Sequence, residues 1–273
     1  MAGTEVFNKM AGTEVFDDFS TFERWDAEYY PPTACRYYDR AVRDMLGWLG
    51  AGPDDLILDA GCGPGRHSIR AAQAGCRVQA IDISDAAIAE ARRRAAKVGL
   101  ADRIRFEQAD LTQLPFEDGS FEHIFSWGVV IHIPAAEEAL AELVRILAPG
   151  GKLALYVTNK NAWDYPLLSL ARRVLRRPTP PLESSHLGQG CWFADKGDSL
   201  WVWRFAIDAL TAHLESLGLR RTHRVAGQFT EIQRRLRGPA RKAMLLLNNA
   251  WYRLGLPPGP CVTNLLVFEK PSA

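Results

Sequence analysis

The ten residues Leu58-Asp59-Ala60-Gly61-Cys62-Gly63-Pro64-Gly65-Arg66-His67 join a strand of buried character to a helix through three alternate glycines, with a carboxylate directly ahead of them. Such a step belongs to α/β folds in which a ligand sits against the bend. Glycine lacks the Cβ that would hold a ligand off the backbone, and it tolerates the positive φ of a tight turn. A helix opening near Arg66 turns N–H groups toward the same cleft. A dinucleotide pyrophosphate suits those donors. Asp59, however, would face it as an uncompensated repulsion, and Arg66 stands where the dinucleotide fingerprint needs its third glycine. A ligand with an ammonium group on one arm and a nucleoside on the other fits better.

The following segments test that idea by position. A helix from about Arg66 to Ala74 and a turn at Gly75 lead to a second strand, Arg77 to Asp82, which ends on a carboxylate. In a parallel sheet the carboxyl ends of neighbouring strands open into one crevice, so Asp82 is placed to accept from ribose hydroxyls. A helix (Asp85 to Val98) and a strand (Ile104 to Gln108) come next. Asp110 then reaches for an adenine amino group and Leu111 for the ring. A fourth strand, His123 to Val130, carries Ser126 and Trp127 to the same edge. S-adenosylmethionine has the ammonium, the sulfonium and the nucleoside that these groups would recognise.

The motifs Leu58 to Gly65, Ala80-Ile81-Asp82-Ile83-Ser84, Gln108-Ala109-Asp110-Leu111 and Leu114-Pro115-Phe116-Glu117-Asp118-Gly119-Ser120-Phe121 follow one another in the chain. Val130-Ile131-His132-Ile133-Pro134 and Arg145-Ile146-Leu147-Ala148-Pro149-Gly150-Gly151-Lys152-Leu153 complete the series. In this order the sequence resembles the class I S-adenosylmethionine-dependent methyltransferases, especially the branch with small-molecule and quinone-type substrates. The resemblance spans roughly Leu56 to Leu155. It implies an α/β fold: a Rossmann-like, doubly wound, seven-stranded sheet, mostly parallel with the last strand antiparallel, carrying helical and loop cap insertions. It also implies that Asp59, Gly61, Cys62, Gly63 and Gly65 hold the methionine part, Asp82 the ribose, Ile83 one adenine face, and Asp110 with Leu111 the other side of the base. The implied cofactor is S-adenosylmethionine, with S-adenosylhomocysteine as its product.

Four segments organise the chain: 1–50, a tag-like repeat followed by lid helices; 51–158, the cofactor-binding core; 159–205, an aromatic-rich cap insertion; and 206–273, the remainder of the core with a basic helical insertion at about 231–254. The repeat is MAGTEVF at Met1 to Phe7, recurring at Met10 to Phe16, and the first copy is set aside as a duplicated start. Ala206 to Leu217 reads as the helix before a sixth strand (Arg220 to Gln228), Glu231 to Leu254 as one added helix, and Val262 to Phe268 as the last strand. The cap segment has a proline-rich joint at Pro178-Thr179-Pro180-Pro181. With the N-terminal aromatics Trp25, Tyr29, Tyr30, Tyr37 and Tyr38 it is expected to form a lid, in which Tyr30, Trp163, Tyr165 and Trp192 face the acceptor.

Five cysteines form no C-x-x-C pair and leave an odd one over, which favours reduced thiols and a cytoplasmic location. No metal-ligand spacing occurs, so no metal is expected. No run reaches the length of a membrane-spanning helix. Residues 1–150 hold 15 Lys and Arg against 24 Asp and Glu, whereas residues 151–273 hold 18 against 8, so the second half carries the positive field. Its arginine groups suit an acidic acceptor or peripheral contact with an anionic membrane. Nucleic acid is not expected, since no appended RNA module or zinc cluster is present.

Methyl transfer to a hydroxyl needs a base near the displacement step. His132 is the first candidate and His186, in the insertion, the second. The expected activity is methyl transfer to a hydroxyl oxygen of a small metabolite, which the arginines and tryptophans suggest is acidic, glycosylated or lipid-linked. The alternatives are C-methylation of a quinone-like acceptor and a non-catalytic cofactor-binding module.

Overall fold

The computed structural model describes residues 19–177, 181–195 and 198–272. The doubled start and Pro178 to Pro180 of the proline-rich joint lie outside the described residues. The strands in chain order are β1 (Leu56–Ala60), β2 (Arg77–Asp82), β3 (Ile104–Gln108), β4 (Phe121–Trp127), β5 (Leu147–Thr158), β6 (Glu183–Ser185), β7 (Gly188–Asp195), β8 (Asp198–Phe205), β9 (Arg220–Ala226) and β10 (Thr263–Glu269). Seven of them form one sheet in the order β3-β2-β1-β4-β5-β10-β9. Pairing is parallel from β3 through to β5, and β10 runs antiparallel between β5 and β9. The strand order turns back between β1 and β4, which opens a crevice at their carboxyl ends.

The central strands are apolar on both faces, so helices must cover each side. Ile57, Leu58, Ile124 and Phe125 are fully buried. Helices α1 (Phe19–Tyr29), α2 (Pro32–Leu49), α3 (Arg66–Gln73), α4 (Asp85–Lys97), α5 (Ala136–Ile146), α6 (Asp164–Val174), α7 (Ile207–Ser216) and α8 (Gly238–Arg253) follow in chain order. One core layer joins α2, α3 and α4 to the sheet through Met45, Ala71, Ile88 and Ala91, while the other joins α5 and α7 through Leu140, Leu143, Leu210 and Leu214. Ser84 starts α4 by accepting a hydrogen bond from the Ala87 amide at 3.0 Å, with Asp85 in the favourable first turn.

Four expectations change. The fourth strand stops at Trp127, because Gly128 takes φ +70° and the chain turns into a 3-10 segment, Val130–His132. The segment 231–254 is not one helix. A 3-10 turn at Ile232–Arg235 and a glycine at φ +57° (Gly238) precede α8, and Pro239 fixes its first turn. The cap, expected as helix and loop, contains α6 and a three-stranded antiparallel sheet, β6-β7-β8. Its last strand buries Trp201, Trp203 and Phe205 in alternation with half-buried Val202 and Arg204, a period-2 pattern that points one face inward. Among the N-terminal aromatics, Tyr37 belongs to the core rather than the lid, with its hydroxyl donating to the Tyr156 hydroxyl at 3.3 Å. No described helix is long and apolar enough to cross a membrane.

Within the cap, Gly190 lies against Trp201 so closely that a Cβ there would meet the indole at 1.9 Å. Gly190→Ala is therefore expected to cost about 1–3 kcal/mol through overpacking. A lowered midpoint in thermal unfolding is the expected reading; an unchanged one would rule out this packing.

Candidate functional site

The turn between β1 and α3 is built by hydrogen bonds that β2 supplies. Gly61 and Cys62 both donate their amides to the Ile81 carbonyl at 2.8 Å, Gly63 donates to Asp82 Oδ2 at 2.7 Å, and Gly65 donates to the Cys62 carbonyl at 3.0 Å. The amides of the turn itself are thus already used within the fold. This turn offers no row of donors to a phosphate, a second reason beside the carboxylates why a pyrophosphate does not suit it. Gly61, at φ +87°, leaves room for Val129, whose Cγ1 would lie 2.3 Å from a Cβ there. A Cβ at Gly63 would meet nothing within 4 Å, so that backbone stays open on the cavity side.

A cavity of about 1070 Å³ occupies the crevice. Asp59, Gly61, Cys62, Gly63, Asp82, Ile83, Asp110, Leu111 and Trp127 line it at the strand ends, and Tyr30, His132, Tyr165 and Trp192 line it from the lid side. Gly65 lies outside this lining. A Cβ there would come 2.9 Å from Ala91 Cβ, so this glycine serves the close packing of α3 on α4. Ser126 is also a correction: it is buried in the sheet and donates to the Ala60 carbonyl at 2.8 Å, tying β4 to β1. Trp163 stacks on Phe229 outside the cavity, with its indole N–H on the Phe229 carbonyl at 3.2 Å. His186 is exposed and lies 3.6 Å from Glu137, away from the cavity.

Burial sets the protonation of the site. Asp59 is almost wholly enclosed, and loss of hydration pushes its carboxyl up to about 7, against the lowering effect of the Ser68 hydroxyl at 2.6 Å and with a further rise from Asp82. Asp82 also accepts from the Ser84 amide at 3.0 Å. Asp110 closes its own turn, accepting from the amide and hydroxyl of Thr112 at 2.8 Å. Burial, then the two nearby carboxylates, push the Cys62 thiol up, so it is a packing group and not a nucleophile.

His132 sits in the 3-10 turn after β4 with Nδ1 2.8 Å from the Trp201 carbonyl. A carbonyl only accepts, so Nδ1 carries the proton and Nε2 is the basic nitrogen. Burial pushes this imidazole down to about 4, so it is neutral at physiological pH. His67, expected from the sequence only to pack near the cofactor, also lines the cavity, stacked on Trp127 at 4.6 Å and sharing a hydrogen bond with the Tyr30 hydroxyl at 3.0 Å. Its place on the first turn after the glycines was the available signal.

The lid is held down by charge. Asp26 of α1 binds Arg66 of α3 and, at 2.8 Å, Arg94 of α4. Arg66, in the place of a third fingerprint glycine, is thus the anchor of the N-terminal lid. At the cap end the walls turn basic, with Arg172, Arg204, Arg234 and Arg235. Arg234 pairs with Glu28 at 2.7 Å, Arg204 lies over the Tyr165 ring at 4.1 Å, and burial with the like charges of Arg172 and Arg234 lowers Arg235.

Comparison with known proteins agrees with this geometry. Residues 57–151 match the family model of a methyltransferase domain. The chain is 38% identical over 117 residues to the 27-O-demethylrifamycin SV methyltransferase of Amycolatopsis mediterranei, covering 42% of this chain and 43% of that protein. It is 31% identical over 134 residues to the sterol 24-C-methyltransferase ERG6B of Gibberella zeae, covering 45% and 35%. The alignments thus span less than half the length of these relatives. The magnesium protoporphyrin IX methyltransferase of Synechocystis PCC 6803, solved with bound SAH, shares the fold at TM-score 0.62 and 19% identity over 94% of this chain and 97% of that one. With the family match lying on the strands and turn that build the cavity, residues 57–151 form a class I S-adenosylmethionine-dependent methyltransferase domain.

Proposed function

We propose that this chain transfers the methyl group of S-adenosylmethionine to a hydroxyl oxygen of a small, largely apolar acceptor bearing an anionic group, with release of S-adenosylhomocysteine. One observation carries the reading: a single cavity is acidic at the strand ends, with Asp59, Asp82 and Asp110, while toward the cap Arg172, Arg204, Arg234 and Arg235 outnumber the carboxylates Glu28, Asp164 and Glu231. The acidic end fits the cofactor. Gly63 leaves open space beside the backbone, the amides of the turn are already bonded, and Asp59 lacks a counter-charge that an ammonium or sulfonium would supply. Asp59 with Gly61, Cys62 and Gly63 would hold the methionine part, Asp82 the ribose hydroxyls, and Ile83, Asp110 and Leu111 the adenine.

Bound there, S-adenosylmethionine supplies a methyl carbon already activated by a positive sulfur. The protein's share is to orient the acceptor and exclude water. Tyr30, Tyr165 and Trp192 supply ring faces for an apolar or glycosylated body, and the arginines an anion site. His132 Nε2 takes the hydroxyl proton as the oxygen reacts, while the Trp201 carbonyl holds the imidazole in that tautomer. C-methylation of a quinone-like acceptor, the second reading, loses its proton from an activated ring position and needs no strong base. Its observation is the sterol C-methyltransferase relative.

The cap also suits a membrane surface. On α6, Leu167, Leu170, Val174 and the adjoining Leu175 are between 50% and 73% exposed, and Arg173, Arg176 and Arg177 are exposed beside them. The spacing i, i+3, i+7 puts the leucines and valine on one stripe. Tyr165, Leu168 and Arg172 of the same helix line the cavity. A lipid-linked acceptor could pass from an anionic bilayer to the cavity along this helix, each basic residue adding roughly 1 kcal/mol of attraction.

Three outcomes are expected. Only ionised Asp59 attracts the cation, and its carboxyl titrates at about 7. Calorimetry should therefore show S-adenosylmethionine binding about tenfold weaker at pH 6 than at pH 8. Asp59→Asn should flatten that dependence, and Asp82→Ala should weaken the cofactor and its product at both pH values. No heat with the cofactor at either pH would refute the cofactor assignment. With a hydroxyl acceptor, His132→Ala should lower kcat by roughly 100-fold or more and leave cofactor affinity unchanged; an undiminished kcat would remove His132 as the base. The protein should sediment with vesicles containing phosphatidylglycerol and not with pure phosphatidylcholine, and Leu170→Asp with Val174→Asp should abolish this. Equal recovery with both vesicle types, or with neither, would remove the membrane contact.

A further inference from the structure

We propose that Glu137, His186 and His213 form a divalent transition-metal site, of the kind that takes Zn²⁺, which fastens the cap to the outer helices of the core. The three residues come from distant parts of the chain. Glu137 is in the first turn of α5, His186 in the turn between β6 and β7, and His213 in the last turn of α7. One ring nitrogen of each histidine and a carboxylate oxygen of Glu137 all lie within 4.8 Å of one another. His186 Nδ1 is 3.6 Å from Glu137 Oε1, and the two imidazole rings stand 5.7 Å apart. Ligands 2.0–2.1 Å from a tetrahedral zinc lie about 3.3 Å from each other, so the shell would close with a contraction of at most roughly 1.5 Å.

A second observation points the same way. His213 Nε2 is shielded from solvent and has no hydrogen-bond partner among the described residues. A buried ring nitrogen is normally satisfied, and here an acidic group and a second imidazole share its neighbourhood. Two imidazoles and one carboxylate are borderline donors, suited to zinc, nickel or copper and not to calcium or magnesium, and a water would complete the fourth position.

The surroundings would give such a site mechanical consequence. Leu187, next to His186, is buried in the same core layer as Leu140 of α5 and Leu210 and Leu214 of α7. Its carbonyl accepts from the Ala206 amide at 2.8 Å, where β8 passes into α7. An ion held there would join α5, the β6–β7 turn and α7, and so restrain β7 and β8, which carry Trp192 and Trp201 to the cavity wall. The cluster itself lies outside that cavity, so the ion would tune cap position and take no part in the transfer.

The test uses the full chain after chelator dialysis. Titration with ZnCl₂ should show one site, and zinc should raise the midpoint of thermal unfolding. His186→Ala and His213→Ala should each weaken zinc binding at least tenfold and cancel the thermal shift. Glu137→Gln, an exposed and nearly isosteric change, should weaken binding while leaving the zinc-free unfolding midpoint in place, which separates ligation from folding. Co²⁺ should give a visible spectrum without a thiolate charge-transfer band, assigning the ion to nitrogen and oxygen ligands rather than to the cysteines. Zinc binding of wild-type strength in the histidine variants, a thiolate band, or no binding by the wild type would each overturn the site. None of these readings depends on cofactor or acceptor, so they stand or fall apart from the methyl-transfer proposal.

Discussion

The hydrogen bond from the Gly63 amide to Asp82 is the constraint on which the rest of this molecule turns. With the two amides bonded to the Ile81 carbonyl, it stitches the turn leaving β1 to the end of β2. The stitch does two things at once. It satisfies backbone groups that would otherwise be buried without partners, and it withdraws them from any anionic ligand. What remains on the cavity side is bare glycine backbone and carboxylate, a surface that favours a cation. Asp82 is therefore a structural acceptor as well as a candidate ribose ligand.

Charge organises the cavity on a larger scale. Among the described residues the enclosed Asp59 has no positive partner, and burial pushes its carboxyl up to about 7. At the other end, arginines from α6, β8 and the 3-10 turn after β9 converge with aromatic rings. Between the two, His132 is kept neutral by burial and oriented by a backbone carbonyl. Helix α1, which lines the cavity, is fastened by Asp26 to Arg66 and Arg94 and so is tied to the two helices that flank the glycine turn.

The core strands and the alternate glycines were legible because their signals are local. Apolar runs of strand length, a glycine bend and a carboxylate at or just past the ends of β1, β2 and β3 need no knowledge of distant partners. Boundaries failed where a single backbone residue decides, as at Gly128, which ends β4, and Gly238, which splits the basic segment. Ser126 and Trp163 lie outside the cavity for a different reason. Their types suit a binding site, but a hydroxyl can equally serve a neighbouring strand and an indole can stack on a loop phenylalanine. Residue type does not say which way a side chain points.

The sequence by itself determined the sheet's central strands, the turn and the acidic residues at the ends of β1, β2 and β3, because those depend on short-range periodicity and on glycine's freedom in φ. Only the tertiary structure decided which aromatics and arginines share the cavity, that Arg66 anchors a lid, that Gly65 serves packing, and that Glu137, His186 and His213 meet. The physical reason is separation along the chain: such contacts join segments tens of residues apart, and chain packing brings them together without leaving a local pattern in the residues themselves.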